Sequence, residues 1–286
     1  MRVPVDWPKL VIVTGAGAGI GQATAEAFAA SGATVVCADL DLPAAEKTVD
    51  VLRANGGEGF AYALDVADAS AWQTFGERVL AEHGVADVLV NNAGVGLAGS
   101  FLEHSHQDWQ RIVDVNVLGA GHGCRVIGAQ QRNRNKQDPS ARGHLVNVAS
   151  ASAFSPHKQL AAYAATKAAV LMLSESLRAE TSAYGIGVSA VCPAFIATGT
   201  HEETAAKAGG GHGPELVAKR ILKAVRRNKP VVPVAGAAWF AYVLAHLAPF
   251  MMRRAAAVDG EAVLARIKKL TGWLPGKDGR KRPENV

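Results

Sequence analysis

The sequence is poor in cysteine, in aromatic side chains and in charge. Its three cysteines, Cys37, Cys124 and Cys192, lie far apart among 286 residues. That spacing gives neither a disulfide framework nor a metal-ligand cluster, and it suits a reducing cytosol. Aromatic residues make up 6% and charged residues 19%, against 49% hydrophobic. Such a composition excludes a disordered chain and supplies a large core. Residues 1–10 contain no apolar stretch of the secretory type, so no signal segment is expected. No internal repeat is present. No aromatic-basic pattern points to nucleic acid, so no such partner is expected. His104, His106, His122, His157, His201, His212 and His246 show no repeated ligand spacing with carboxylates, and no metal site is expected.

Charge is unevenly spread. Residues 214–286 hold 15 of the 30 Lys and Arg but 5 of the 25 Asp and Glu, so this stretch is net +10 and the remainder net −5. A basic tail can meet anionic ligands or membranes, although a solvated surface is the simpler reading.

Seven short apolar runs, at 10–13, 34–38, 60–64, 86–90, 144–148, 187–191 and 230–234, alternate with longer stretches of helical composition. The latter include 22–30, 44–54, 71–82, 109–130 and 160–184. Strand–helix alternation at this spacing predicts βαβ units. Near-continuous apolar strands predict burial on both faces. The expected α/β fold is therefore a doubly wound, seven-stranded parallel sheet with helices on both faces and a C-terminal helical extension. Residues 131–143, polar and basic with Pro139, read as an exposed turn, and 277–286 as a loose terminus.

Thr14-Gly-Ala-Gly-Ala-Gly-Ile-Gly21 follows the first strand and opens the first helix. Glycine there lets backbone approach a pyrophosphate, and a helix N-terminus offers free N–H groups to it. A glycine-rich turn by itself is commonplace; between an apolar strand and an Ala-rich helix it points to a dinucleotide. Gly15, Gly19 and Gly21, with Ala18 and Ile20 between them, are the expected contacts. Asp39 ends the second strand, where a carboxylate can accept both ribose hydroxyls and would repel a 2′-phosphate. Ala18 and Leu40 supply no cation nearby, so NAD is expected rather than NADP. Asp41, ahead of Pro43, is the better helix cap. Asp65, with Val66 beside it, can meet the adenine, although an ordinary loop aspartate reads the same way.

Tyr163 and Lys167 stand four residues apart on an Ala-rich helix and so share a face. A phenol titrates near pH 10, and an adjacent ammonium favours its ionised form. Tyr163 could then exchange a proton with an alcohol or carbonyl oxygen. Alone, such a pair is more often packing plus a solvated charge.

Together, the motifs resemble the short-chain dehydrogenase/reductase family. The similarity spans residues 10–234 and rests on the Thr14–Gly21 motif, Asn91-Asn92-Ala93-Gly94, Asn116, Ser150, the Tyr163/Lys167 pair, and Pro193 with Thr198. It implies a Rossmann-like fold with Asn116, Ser150, Tyr163 and Lys167 as catalytic residues. Ser150 would hold the substrate oxygen. Asn116 would mark a helix distortion whose freed carbonyl binds water, relayed through Lys167. Lys167 would also hold the nicotinamide ribose. Asn92, Ala93 and Gly94 would pass beside the cofactor, and Pro193, Ile196 and Thr198 would hold the carboxamide. Ala194 departs from the family's glycine and stiffens that loop.

The resemblance places a substrate lid at about 198–213, in a domain spanning 1–235, followed by an extension at 236–286. Ser150, Phe154, Tyr163 and Phe195 are the expected substrate contacts, with Val95, Ala151 and Leu160 nearby. These are largely apolar, so a hydrophobic secondary alcohol or ketone is expected, steroid-, retinoid- or fatty-chain-like. An NADPH-dependent ketone or 3-oxoacyl reductase is the alternative. A catalytically idle dinucleotide-binding or membrane-associated scaffold would have less need of all four catalytic residues. Residues 231–252 carry no Asp, Glu, Lys or Arg, but Pro233, Gly236, His246 and Pro249 interrupt them, which disfavours a membrane span. Trp239, Phe240, Val243, Leu244 and Leu247 recur at helical spacing. They predict a helix packed on the substrate pocket or on a partner subunit, with peripheral membrane contact as the alternative. The small residues of the helices at 109–130 and 160–184 imply a homodimer or homotetramer. The expected location is cytoplasmic.

Overall fold

The computed structural model describes residues 8–194 and 213–247. Seven strands form one parallel sheet: β1 (Leu10–Thr14), β2 (Thr34–Asp39), β3 (Glu58–Ala63), β4 (Val88–Asn91), β5 (Gly143–Val148), β6 (Ile186–Pro193) and β7 (Val231–Val234). Their order is β3-β2-β1-β4-β5-β6-β7. Register is continuous across the middle, with Val11 beside Val35 on one flank and Val88 on the other. The winding reverses at β1, which leaves a crevice between the carboxyl ends of β1 and β4.

Alternation along each strand divides the core. Val11, Val13, Val35, Cys37, Val88 and Val90 face α1 (Gly19–Ala29), α2 (Leu42–Ala54) and α7 (Pro214–Arg227), where Phe28, Leu52 and Ile221 meet them. Leu10, Ile12, Val36 and Leu89 face the opposite layer. That layer contains α3 (Ala69–His83), α5 (Gly119–Gln137) and α6 (Ala161–Thr181). Trp72 is wholly buried there, and its indole N–H donates to the Val66 carbonyl at 3.2 Å. A side chain of that size in a filled core contributes several kcal/mol, on the order of 3–5 when cut to alanine.

Local chemistry accounts for the boundaries. The Asp41 side chain caps α2 by accepting from the Ala44 N–H at 3.2 Å, with proline following at the helix start. Gly185, at φ +65°, ends the single 3-10 turn Ser182–Tyr184 that follows α6.

Residues 131–143 form the expected exposed turn only from Asp138, around Pro139. The helix α5 continues to Gln137. Gln131 is 1% exposed and donates to the carbonyls of Ala86 and Asp87 at 3.0 and 3.1 Å. Arg134 pairs with Asp87 at 2.7 Å. These polar side chains face the entry to β4, where strand-end carbonyls need donors, so polarity here signals a cap on the sheet rather than solvent.

Among the described residues, α8 (Gly236–Leu247) is the last element. Its inward face is Ala238, Ala241, Tyr242 and Ala245. The expected apolar face is corrected in part: Trp239, Phe240 and Leu247 are 59–79% exposed. Small alanines let the helix axis come close, and the larger side chains then point away. No helix among the described residues is long and apolar enough to cross a membrane.

Candidate active site

The loop after β1 is shaped for a ligand that touches backbone. Gly15 lies at φ +63°, and a Cβ there would stand 2.9 Å from the Ala93 Cα. A Cβ on Gly21 would fall 1.9 Å from the Gly15 carbonyl oxygen. Only glycine fits either place. Ala18 precedes α1 without a side-chain cap, and the first turn carries no acidic residue, so its N–H groups remain available to an anion.

The far wall of the loop is built by polar side chains. The Thr14 hydroxyl accepts from the N–H groups of Asn92 and Ala93 at 3.0 and 3.1 Å. The Asn92 amide donates to the carbonyls of Thr14 and Gly15 at 3.0 and 3.2 Å. Thr14 and Gly17 carry parts that the motif reading missed. The Gly17 N–H donates to the Asp39 carboxylate at 2.8 Å, and a Cβ on Gly17 would strike Ala44. The other Asp39 oxygen accepts from the Asp41 N–H at 3.0 Å. Asp39 is thus held in place beside a cleft of about 640 Å³. The cleft is lined by Gly15, Asp39, Leu40, Asp65, Val66, Ala93, Gly94 and Val115, and by Arg111 from α4 (His106–Val113). Its volume and its mixture of apolar wall with polar and charged groups, among them Gln107, Gln110 and Asp114, suit an adenosine-sized ligand.

The expected helix distortion is present. Between α4 and α5 the chain makes a π-helical turn, Asp114–Leu118, the kind of irregularity common at functional sites. Asn116 within it is buried. Its amide donates to the Val95 carbonyl at 3.0 Å and to the Thr166 hydroxyl at 3.1 Å, and its oxygen accepts from the Val95 N–H at 2.8 Å. One amide hydrogen and the amide oxygen therefore hold the segment after Gly94, and the other hydrogen ties it to α6. Thr166, also missed in the sequence, donates in turn to the Tyr163 carbonyl at 2.8 Å. Such Thr back-bonding within a helix is common, and it does not betray a tertiary partner in sequence.

Ser150, Tyr163 and Lys167 converge at the ends of β5 and β6. The Ser150 hydroxyl accepts from the Ser152 N–H at 3.2 Å and hydrogen-bonds the Tyr163 phenol. The Lys167 ammonium is buried, lies 5.7 Å from the Tyr163 ring centroid, and donates to the Val148 carbonyl at 3.0 Å. Burial pushes Lys167 down to about 8. Burial also pushes the Tyr163 phenol up, opposed by its bond to Ser150. The expectation that Lys167 brings this phenol down is thus corrected for the chain alone, where desolvation is the larger effect.

The other predicted positions differ in standing. Pro193 ends β6. Phe195, Ile196 and Thr198, with nearly all of the expected lid, lie outside the described residues. Phe154 is only 9% exposed and packs against Tyr242 of α8, a contact no local motif announces. Cys37, Cys124 and Cys192 are all buried and pushed up to about 12 by desolvation, which makes them inert thiols. Among the described residues, no group of three or more His, Cys, Asp or Glu is placed to hold a metal ion.

A backbone cradle thus lies at the sheet's switch point, beside half-buried Ser150 and Tyr163 and buried Lys167. The short chain dehydrogenase profile matches residues 9–209, and the chain belongs to that family. Its members include dehydrogenases acting on CH–OH groups. The chain is 41% identical over 282 residues to the probable oxidoreductase EphD of Mycobacterium tuberculosis, covering 90% of this chain and 47% of that protein. It thus spans about half the length of that relative. A short chain dehydrogenase/reductase from Burkholderia phymatum, solved in complex with NAD, matches with a TM-score of 0.78 at 30% identity. That match covers 85% of this chain and 95% of the other. A metagenomic short-chain oxidoreductase solved in complex with NADP matches with a TM-score of 0.68 at 27% identity, covering 78% and 94%. The fold is that of NAD(P)-binding proteins, and the family's substrates are small alcohols and carbonyl compounds.

Proposed function

We propose that this chain transfers a hydride between NAD and a hydrophobic secondary alcohol or ketone, with Tyr163 as general acid and base. The observation that carries this reading is the meeting of Ser150, Tyr163 and Lys167 beside the glycine-shaped cleft. Gly15, Ala18, Gly19, Ile20 and Gly21 would receive the pyrophosphate on backbone N–H groups. Asp39 would accept the ribose hydroxyls, and Asp65 with Val66 would border the adenine. Asn92, Ala93 and Gly94 would line the path to the nicotinamide half, with Pro193, Ile196 and Thr198 toward its carboxamide. When bound, the oxidised dinucleotide is the acceptor for the hydrogen leaving carbon.

The protein's own groups manage the proton. The Ser152 N–H occupies one lone pair of Ser150 Oγ, and the single Ser150 hydroxyl hydrogen, turned to Tyr163 in the free chain, would swing to hold the substrate oxygen. Tyr163 Oη takes the alcohol proton in oxidation and returns it in reduction. Lys167 uses one of its three N–H bonds on Val148 and keeps two for the nicotinamide ribose and a proton-relaying water. Asn116 keeps the Val95 segment and the catalytic helix in fixed relation. Positive charge arriving with oxidised nicotinamide would draw the phenol back down from its raised value.

The choice of NAD over NADP rests on Asp39, fixed at the cleft between two backbone donors, with an uncharged, exposed Leu40 beside it. Fluorescence titration with NADH and NADPH is the direct check. Tighter binding of NADPH would reject the role of Asp39 and favour the NADPH-dependent reductase reading. The substrate class rests on the apolar character of Val95, Ala151, Phe154, Leu160 and Phe195. A panel of secondary alcohols and ketones, from short aliphatic to steroidal, followed by NADH absorbance, tests it. Preference for short polar substrates would overturn it.

Exposed Leu118 and Met172, on the turn before α5 and on α6, support a homodimer or homotetramer. Buried, unpaired thiols support a cytoplasmic setting. The exposed Trp239 and Phe240 of α8, with the basic sequence that follows residue 247, support peripheral contact with an anionic surface.

A further inference from the structure

An aromatic contact joins the last described helix to the turn that carries Ser150. Tyr242 of α8 meets Phe154 edge-on, with ring centroids 5.1 Å apart and planes at 68°. Phe154 closes the short turn that starts at Ser150, its N–H donating to the Ala151 carbonyl at 3.1 Å. The His246 ring backs Tyr242 at 4.4 Å. Ala149, Val170, Ala190 and Cys192 form the floor beneath the pair, and Ala241 and Ala245 bring α8 close to it.

The restraints on Ser150 inside its turn are local. Its hydroxyl accepts from the Ser152 N–H, and its carbonyl accepts from the Ala153 N–H at 3.0 Å. Those bonds set the shape of the turn. The turn packs directly on α6, and its register along that helix depends further on what its two ends are tied to. One end follows β5, where the Ala149 N–H donates to the Val191 carbonyl at 2.8 Å. The other end is Phe154, and Phe154 is tied to α8.

We propose that Tyr242 is a positioning residue: through Phe154 it holds the Ser150 turn in register with Tyr163, which makes α8 part of the active-site scaffold. The proposal rests on the reading of Ser150 and Tyr163 as the reacting centre. An edge-on aromatic pair contributes enough beyond simple burial to change a local opening equilibrium by about three- to tenfold.

The test uses the full chain with Tyr242→Ala and Tyr242→Phe, the second keeping the ring. Hydrogen exchange by mass spectrometry reads the amides of residues 150–160 against those of β1 to β3. Tyr242→Ala is expected to speed exchange in the turn by about three- to tenfold and leave the distant strands unchanged. It is also expected to lower kcat for oxidation of 1-phenylethanol by about tenfold with the NADH dissociation constant unchanged within about twofold. Tyr242→Phe should restore both. Unchanged exchange in the turn overturns the proposal, and so does equal acceleration throughout the sheet, which would make Tyr242 a general stabiliser. Tyr163→Phe is measured in parallel. If it keeps full turnover, the reading of the reacting centre fails, while the exchange result still decides whether α8 holds the turn.

Discussion

On the side of β1 and β2 the site is made of backbone, whereas on the side of β5 and β6 it is made of side chains. The first side depends on where a Cβ cannot be. Gly15 and Gly21 leave room for a ligand because any larger residue would meet Ala93 or the Gly15 carbonyl. The second side depends on buried polar groups: Asn116, Thr166 and Lys167 are each no more than 5% exposed and are held by specific partners. A steric cradle tolerates few substitutions and acts on binding. A network of hydrogen bonds in low dielectric acts on proton position and holds its charges at a cost in stability.

The contrast can be broken at three places. Gly21→Ala places a methyl 1.9 Å from the Gly15 oxygen. It is expected to weaken dinucleotide binding by about 100-fold or more, read by NADH fluorescence. The overpacking should also cost about 1–3 kcal/mol in urea unfolding. Ser150→Ala should leave dinucleotide affinity intact and lower kcat by about 100-fold. It also removes the bond that lowers the Tyr163 phenol. The phenol then titrates higher, and alcohol oxidation, which uses the phenolate, should rise with pH at a higher pH than in the wild type. A pH profile unmoved by Ser150→Ala would separate Ser150 from Tyr163.

Lys167 gives the clearest sign in stability. Its ordinary value of 10.5 is depressed to about 8 by burial. Between these pH values the unfolded chain binds more protons than the folded one, so this group makes stability rise with pH from about 8 to 10.5. Below pH 8 the full penalty remains, on the order of 3 kcal/mol. Lys167→Met should therefore abolish turnover and yet stabilise the chain at pH 7, by about 1–3 kcal/mol after loss of the bond to Val148. Thermal unfolding at pH 7 and pH 10 checks both the gain and its disappearance at high pH.

What was legible in the sequence follows the same division. The strands announced themselves as apolar runs because a sheet covered on both faces tolerates little else. Gly15 and Gly21 stood out because backbone geometry demands one residue type. The distortion around Asn116 was visible once that residue was placed within a helix. Long-range partnerships were not legible. Gln131 and Arg134 look solvated until the carbonyls and carboxylate at the start of β4 are brought beneath them. Thr166 looks like an ordinary helical threonine until Asn116, fifty positions earlier, reaches it. Helical spacing suggested Trp239, Phe240 and Leu247 as a packing face, whereas Ala238, Ala241 and Tyr242 turn inward, because the choice of face depends on the surface the helix meets.

The central claim is that one phenol moves the proton while separate groups hold the dinucleotide. It is tested most directly by measuring turnover and NADH affinity on the same preparation of Tyr163→Phe, with the wild-type chain beside it. The account predicts a fall in kcat of about 10²–10⁴-fold, with the NADH dissociation constant changed by no more than about twofold. Turnover equal to the wild type would contradict it.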